Sequence, residues 1–136
     1  MLLFLDTMDY ISFIKGSKKK ATLRLGVIVK QANTGRVVYA HNEKVYDKET
    51  SAREEYRAIM LAVKSVPMGS RITIYTNNLT AVNVFSGIWK AKKHTDIVDE
   101  FLRNSDMKDV KVLYACDNPN EEVIQGMQEA EMVCFR

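Results

Sequence analysis

The alternation of apolar and polar positions predicts that the first third of the chain forms β-strands. The expected strands are residues 2–7, 9–14, 21–29 and 36–41. Residues 16–20, rich in glycine and lysine, are expected to form a turn, and residues 33–35 (NTG) are typical of a hairpin turn. The last two of these strands are therefore predicted to pair antiparallel.

From residue 50 the apolar period becomes that of a helix. Ser51 is the expected N-cap, because Glu54 follows it three residues later as in a capping box. Spacings of three and four residues place one set of side chains on a common face: Ala52, Glu55, Ile59, Ala62, Val63 and Val66. Glu55 thus interrupts an apolar stripe, and a carboxylate there needs a basic side chain, a backbone donor or a metal ion as its partner.

The second half of the chain predicts an α/β alternation. The expected elements are a strand at 71–76, helices at 79–93 and 95–103, a strand at 110–116 and a terminal helix from about Asn120. Val82, Phe85, Ile88 and Trp89 are predicted to form the inner face of the 79–93 helix. With no linker or repeat, residues 1–136 are expected to form a single α/β domain.

Composition excludes several classes of protein. The chain has 136 residues, of which 46% are hydrophobic and 27% charged, as in soluble globular domains. No apolar run approaches the roughly 20 residues that cross a bilayer, so no membrane association is expected. Residues 1–5 lack the basic leader of a secretion signal, and a cytoplasmic location is predicted. Cys116 and Cys134 are expected to be buried, reduced thiols.

The positive charge is gathered in two segments of the chain. The net charge is +3, which permits a polyanionic partner without requiring one. The candidate contacts to a phosphate backbone are Lys18, Lys19, Lys20, Lys90, Lys92 and Lys93.

Four short motifs in this order resemble the ribonuclease H family. Asp6 closes the first strand, residues 53–58 (REEYRA) lie in the first helix, residues 76–78 (TNN) close the fourth strand, and residues 120–124 (NEEVI) resemble an N-E-x-x-D element. The resemblance implies a central five-stranded mixed sheet, with its first three strands antiparallel, flanked by helices. It also implies a nuclease that cuts RNA in RNA–DNA hybrids with two magnesium or manganese ions held by four acids.

Carried over by position, the resemblance makes Asp6 and Glu55 the first two acids, with Glu54 as a one-residue competitor for the second. Asn77 stands where the third acid belongs, and Ile124 or Gln125 stands at the fourth. Two carboxylates leave much of the charge of two divalent ions uncompensated, since an amide supplies no charge and isoleucine no ligand. Weak metal binding at Asp6 and Glu55, and impaired or absent hydrolysis, are therefore predicted.

Three functions fit these residues. The first is a catalytically impaired domain that binds nucleic acid, such as an RNA–DNA hybrid, or a protein partner. The second is an active nuclease whose ligands have been relocated to nearby residues: Asn78, Asp117, Glu121 and Glu122. The third is a scaffold that retains only the fold. A magnesium or manganese cofactor is expected for the active form, and possession of none fits the other two.

Overall fold

The computed structural model describes residues 8–19, 22–45 and 48–135 of the chain. Asp6, the strand predicted at 2–7 and Lys20 lie outside the described residues, as does the side chain of Lys19.

In the described part of the chain, five strands form one mixed sheet. They are β1 (Asp9–Lys19), β2 (Thr22–Gln31), β3 (Val37–Val45), β4 (Arg71–Thr76) and β5 (Asp109–Tyr114). Their order across the sheet is β3-β2-β1-β4-β5. The first three strands pair antiparallel, and β1–β4 and β4–β5 pair parallel. The predicted mixed five-stranded architecture is confirmed.

Helices cover both faces of the sheet. They are α1 (Lys48–Lys64), α2 (Leu79–Phe85), α3 (Thr95–Ser105) and α4 (Glu121–Val133), with a 3₁₀ turn at Ala115–Asp117. Helix α1 packs on α3 and on β2 and β3, whereas α4 packs on β1 and β2. In the part of the chain that the structure describes, no helix combines the length and apolar character needed to span a bilayer.

Strand β1 separates two hydrophobic cores. Its side chains alternate, as they must in a strand. Tyr10 and Ile14 therefore enter the core beneath α1 and α3, and Phe13 enters the core beneath α4. Phe13 stacks on Tyr75 of β4 with ring centroids 5.6 Å apart. Burial on both faces fixes the register of this strand and hence which residues stand at its end.

Helix α4 lies unusually close to the sheet. A Cβ added to Gly26 of β2 would stand 2.1 Å from the carbonyl oxygen of Ala130, and one added to Gly126 would stand 2.2 Å from the Phe13 ring. Cys134 follows the helix and is fully buried. The close packing of α4 therefore depends on Gly26, which faces the helix from β2, and on Gly126, which faces Phe13 of β1 from the helix.

Asn120 begins α4 as predicted. Its side-chain oxygen accepts a hydrogen bond from the backbone N–H of Val123 at 3.0 Å, which is the N-cap arrangement. The cysteines differ from their prediction in one respect: both are free, but Cys116 is exposed whereas Cys134 is buried.

Two local predictions near the strands and α1 are wrong. Gly16 belongs to β1, which continues to Lys19 paired with β2, because the ladder outweighs the local turn preference of glycine and lysine. Helix α1 begins at Lys48, so Ser51 lies inside its first turn and not at the N-cap.

The helix predicted at 79–93 is also shorter than expected. Helix α2 ends at Phe85, and Gly87 follows with a φ of 79°, a left-handed conformation that suits glycine and stops the helix. Ile88 and Trp89 are consequently 69% and 51% exposed, and the prediction that they belong to the inner face is wrong.

Candidate functional site

The parallel pairing of β1 with β4 ends where β4 ends, although β1 itself continues to Lys19 beside β2. Ile14 of β1 lies opposite Thr76 of β4, so Lys15 and Asn77 are the next positions along the two strands. A cavity of about 420 Å³ opens at this point, and we call it the strand-end pocket. It is lined by Ile14, Lys15, Gly16, Leu25, Glu55, Thr76, Asn77, Asn78, Leu79 and Thr80.

Helix α1 contributes the one carboxylate among the described residues that line the strand-end pocket. Glu55 is half-buried and accepts a hydrogen bond from the side-chain amide of Asn78. The oxygen of that amide accepts from the backbone N–H of Ala81 at 3.0 Å and so caps α2. The acid predicted within the apolar stripe of α1 is thus held by a neutral amide that also fixes the start of the next helix.

Asn77 is exposed at the end of β4. Its side-chain oxygen accepts a hydrogen bond from the thiol of Cys116, with the two atoms 3.3 Å apart. This contact joins the end of β4 to the 3₁₀ turn that precedes α4.

Helix α4 places Ile124 beside the same strand ends. Ile124 is 51% exposed and lines a neighbouring cavity of about 300 Å³ together with Lys15 and Asn77. Gln125 is exposed but does not line this cavity. Of the two positions considered for the fourth acid, Ile124 is the one that shares a cavity with the strand ends.

The spare acids do not gather at the strand ends. Asp117, Glu121 and Glu122 are exposed and line neither of these two cavities. Among residues 8–19, 22–45 and 48–135, no group of three or more histidine, cysteine, aspartate or glutamate side chains is placed to hold a metal ion.

The described residues do not fit the two-metal centre that the family resemblance implies. The positions at the strand ends hold an ammonium, a carboxylate, an amide and a hydrocarbon: Lys15, Glu55, Asn77 and Ile124. Their formal charges sum to zero, whereas two divalent ions need several anionic oxygens. The ammonium of Lys15 would in addition repel a cation beside it. Asp6, the other predicted ligand, lies outside the described residues.

Lys15 is the site residue that the sequence reasoning missed. The sequence predicts that the first strand closes on Asp6, and Lys15 therefore has no place in the predicted site. The signal was nevertheless present: the apolar run 9–14 ends on Lys15 in the same way that the strand at 71–76 ends on Asn77.

The predicted phosphate contacts fall in two places. Lys18 is exposed near the end of β1. Lys90, Lys92 and Lys93 line an open groove of about 710 Å³, which we call the Trp89 groove. Its other lining residues are Ala52, Tyr56, Thr80, Val84, Ile88, Trp89 and His94. Thr80 also lines the strand-end pocket, so the two cavities adjoin.

A second cluster of ionisable groups joins β3 to α1. A hydrogen bond to Glu43, followed by burial, raises the pKa of Glu54. Burial would raise the pKa of Glu43, but hydrogen bonds from Glu54 and His41 and the charge of Arg57 together lower it. The guanidinium of Arg57 lies 2.8 Å from Glu43 and 3.5 Å from Glu54. Glu54 is therefore engaged with β3, while Glu55 faces the strand-end pocket.

Solved structures resemble this fold over most of the chain. The solution structure of the PFV RNase H domain matches with a TM-score of 0.68 and 14% identity, covering 97% of this chain and 95% of that one. An N-terminal RNase H domain from Mycobacterium tuberculosis matches with a TM-score of 0.66 and 13% identity, covering 93% and 98%.

A third similar structure contains nucleic acid. LC11-RNase H1, solved in complex with an RNA/DNA hybrid, has a TM-score of 0.59 and 15% identity and covers 89% of this chain and 95% of its own. No family model and no curated protein matches the sequence. The strand order, the helices on both faces and these likenesses together show that the chain has the ribonuclease H-like fold.

Proposed function

We propose that this chain is a ribonuclease H-like domain that binds nucleic acid without hydrolysing it. The observation that carries the proposal is the position of Lys15 next to Asn77 where the β1–β4 pairing ends, with Glu55 as the one carboxylate among the described residues that line the strand-end pocket. A centre that activates water with two metal ions concentrates negative charge at such a point, whereas the charges of the described side chains that line the strand-end pocket, Lys15 and Glu55, cancel.

Loss of hydrolysis follows from charge and from ligand chemistry. A divalent ion beside Lys15 meets an ammonium in place of an anionic ligand. Asn77 supplies an oxygen without charge, and that oxygen already accepts from Cys116. Glu55 alone cannot position two ions at the separation needed to hold both the attacking and the leaving oxygen.

Binding of nucleic acid is supported by the same lysine. An ammonium at the strand ends can contact a phosphate directly, with no metal ion between them. Lys18 is also exposed on β1, but three residues further along the strand, so its side chain leaves the opposite face of the sheet from that of Lys15. The likeness to LC11-RNase H1, whose structure contains an RNA/DNA hybrid, supports nucleic acid as the ligand class.

The test combines binding and cleavage on the same substrate. The protein is incubated with a fluorescently labelled RNA–DNA hybrid in magnesium or manganese, and anisotropy and a denaturing gel are read in parallel. We expect salt-dependent binding without cleavage, and weaker binding after Lys15→Ala. Lys64→Ala, in the exposed last turn of α1, is the matched control and should bind as the unmodified protein does.

Two results would refute the proposal. Vigorous cleavage that is lost in Asp6→Ala or Glu55→Gln would establish an active nuclease with relocated ligands. Failure of the hybrid, duplex DNA and single strands to bind at low salt would remove nucleic acid as the ligand and leave the scaffold hypothesis.

A further inference from the structure

The Trp89 groove presents apolar side chains to solvent in a fixed arrangement. Ile88 and Trp89 are 69% and 51% exposed, and the groove continues inward to Tyr56 and Val84, which are buried. The backbone N–H groups of Ile88 and Trp89 both donate to the carbonyl oxygen of Asn83, at 2.9 and 3.0 Å. The two exposed side chains therefore project from a corner that is tied to α2.

The far end of the same loop is also held. The carbonyl oxygen of His94 accepts from the N–H groups of Ile97 and Val98 at the start of α3. The His94 ring packs edge-on against Tyr56, with ring centroids 5.6 Å apart. A surface that is ordered before it meets its ligand loses less conformational entropy on binding.

The rim of the groove is positive and lacks local compensation. Lys90, Lys92 and Lys93 line it, and within the described part of the chain none of the three forms an ion pair. None of the described residues that line the groove is an acid. Asp96, close by in sequence, is already engaged by Arg53, whose hydrogen bond and charge lower the pKa of that carboxyl to about 2.

The floor of the groove favours an apolar side chain over a nucleobase. Ala52, Val84 and Ile88 offer no hydrogen bonds, and the uncharged side chains that can hydrogen-bond are those of Thr80, His94, Tyr56 and Trp89. The polar edge of an inserted base would lose its contacts with water and find few replacements. A leucine or phenylalanine side chain needs none.

From these observations we propose that the Trp89 groove is a docking site for an acidic peptide segment of a protein partner. One or two large apolar side chains of the segment would fill the groove between Ile88, Trp89 and Tyr56, and its carboxylates would pair with the lysines of the rim. An apolar centre with tryptophan inside a polar rim is the usual composition of an interface hot spot, and the lysines of this rim add a preference for acidic ligands. The proposal is independent of whether nucleic acid binds at the strand ends.

The experiment selects ligands without presupposing their sequence. A random peptide library displayed on phage is panned against the unmodified protein, with prior subtraction on the Ile88→Ser variant. We expect enriched peptides to combine a net negative charge with leucine, phenylalanine or tryptophan. Because Trp89 is the chain's only tryptophan, its emission should shift to shorter wavelength when such a peptide, made synthetically without tryptophan, binds.

Matched variants separate docking from loss of folding. Ile88→Ser should weaken binding of the synthetic peptide at least tenfold. The separate double variant Lys92→Glu and Lys93→Glu should also weaken binding, by a larger factor at low salt than at high salt. Leu102→Ser, at a 60% exposed position on α3, is the control and should bind as the unmodified protein does. Melting temperatures within a few degrees of each other establish that all variants are folded.

The proposal is overturned if no peptide is enriched over the Ile88→Ser background. It is equally overturned if the enriched peptides lack either acids or large apolar residues. A shift of Trp89 emission by oligothymidine that Ile88→Ser abolishes, in the absence of enriched acidic peptides, would instead make the groove a site for single-stranded nucleic acid.

Discussion

Among glycine-to-alanine substitutions at the described strand glycines, Gly26→Ala should disturb the packing of α4 on the sheet most. The new Cβ would stand 2.1 Å from the carbonyl oxygen of Ala130 and 3.0 Å from the sulfur of Cys134. Non-bonded atoms approach to about 3.5 Å, so the helix backbone must move by roughly 1 Å or more. That movement loosens the core formed with Phe13 and Met127.

We expect this overpacking to lower the free energy of unfolding by about 3 kcal/mol. For a domain of this size the melting temperature should fall by roughly 10 °C. Urea unfolding followed by circular dichroism measures the free energy, and calorimetry measures the temperature. The expected loss belongs to the native state, because any effect of alanine on the unfolded chain favours folding.

Gly16→Ala on the neighbouring strand is the matched control. There the new Cβ would find Leu25 Cδ2 at 3.4 Å and the carbonyl oxygen of Arg24 at 3.9 Å, both ordinary contacts. The change should be neutral or slightly stabilising, since glycine inside a strand is unfavourable. If the two variants unfold within about 0.5 kcal/mol of each other, the close seating of α4 is not a constraint on this fold.

Three further predictions concern the site, pH and a helix start. The triple variant Lys15→Asp, Asn77→Asp and Ile124→Asp should bind manganese measurably by calorimetry, because with Glu55 it presents four carboxylates to the ions. Absence of heat would contradict the assignment of these positions to one site. The raised pKa of Glu54 means that its protonated form stabilises the fold at acid pH, and that this contribution is lost as pH rises through the raised value. Glu54→Gln keeps a hydrogen-bond donor to Glu43 that does not titrate. As the pH rises from about 4, the melting temperature of the variant should therefore increase relative to that of the unmodified protein, and a constant difference would refute the hydrogen bond between the two acids. Asn120→Ala removes the N-cap of α4 and should cost about 1 kcal/mol in urea unfolding, and an unchanged midpoint would show that the bond to Val123 contributes nothing.

The parts of the fold that sequence predicted are those in which local pattern and tertiary packing agree. The apolar stripe of α1, the strand at 71–76 and the start of the terminal helix near Asn120 are of this kind. The turn expected at 16–20 failed because pairing with β2 offered the backbone more hydrogen bonds than a turn would. The prediction that Trp89 lies on the inner face of a helix is wrong because α2 ends at Ser86 and Gly87, one turn too early for Trp89 to reach the core.

The sequence predicted three of the residues of the candidate site but not the strand pairing that adds Lys15 to them. Glu55, Asn77 and Ile124 are found at the strand ends. Lys15 was not expected there, because a pairing register between distant strands is decided by burial on both faces and cannot be read from one strand alone. Asp6 remains a prediction.

The rate at which the thiol of Cys134 is alkylated measures how often α4 separates from the sheet. This thiol is fully buried, lies 3.4 Å from the carbonyl oxygen of Lys15, and has its pKa raised by burial, so it is a poor nucleophile while the helix is seated. Cys116 is exposed and should react with iodoacetamide at once. Mass spectrometry would then resolve a rapid first alkylation and a slow second one, and the rate of the second would report how often the helix beside the strand ends lifts away.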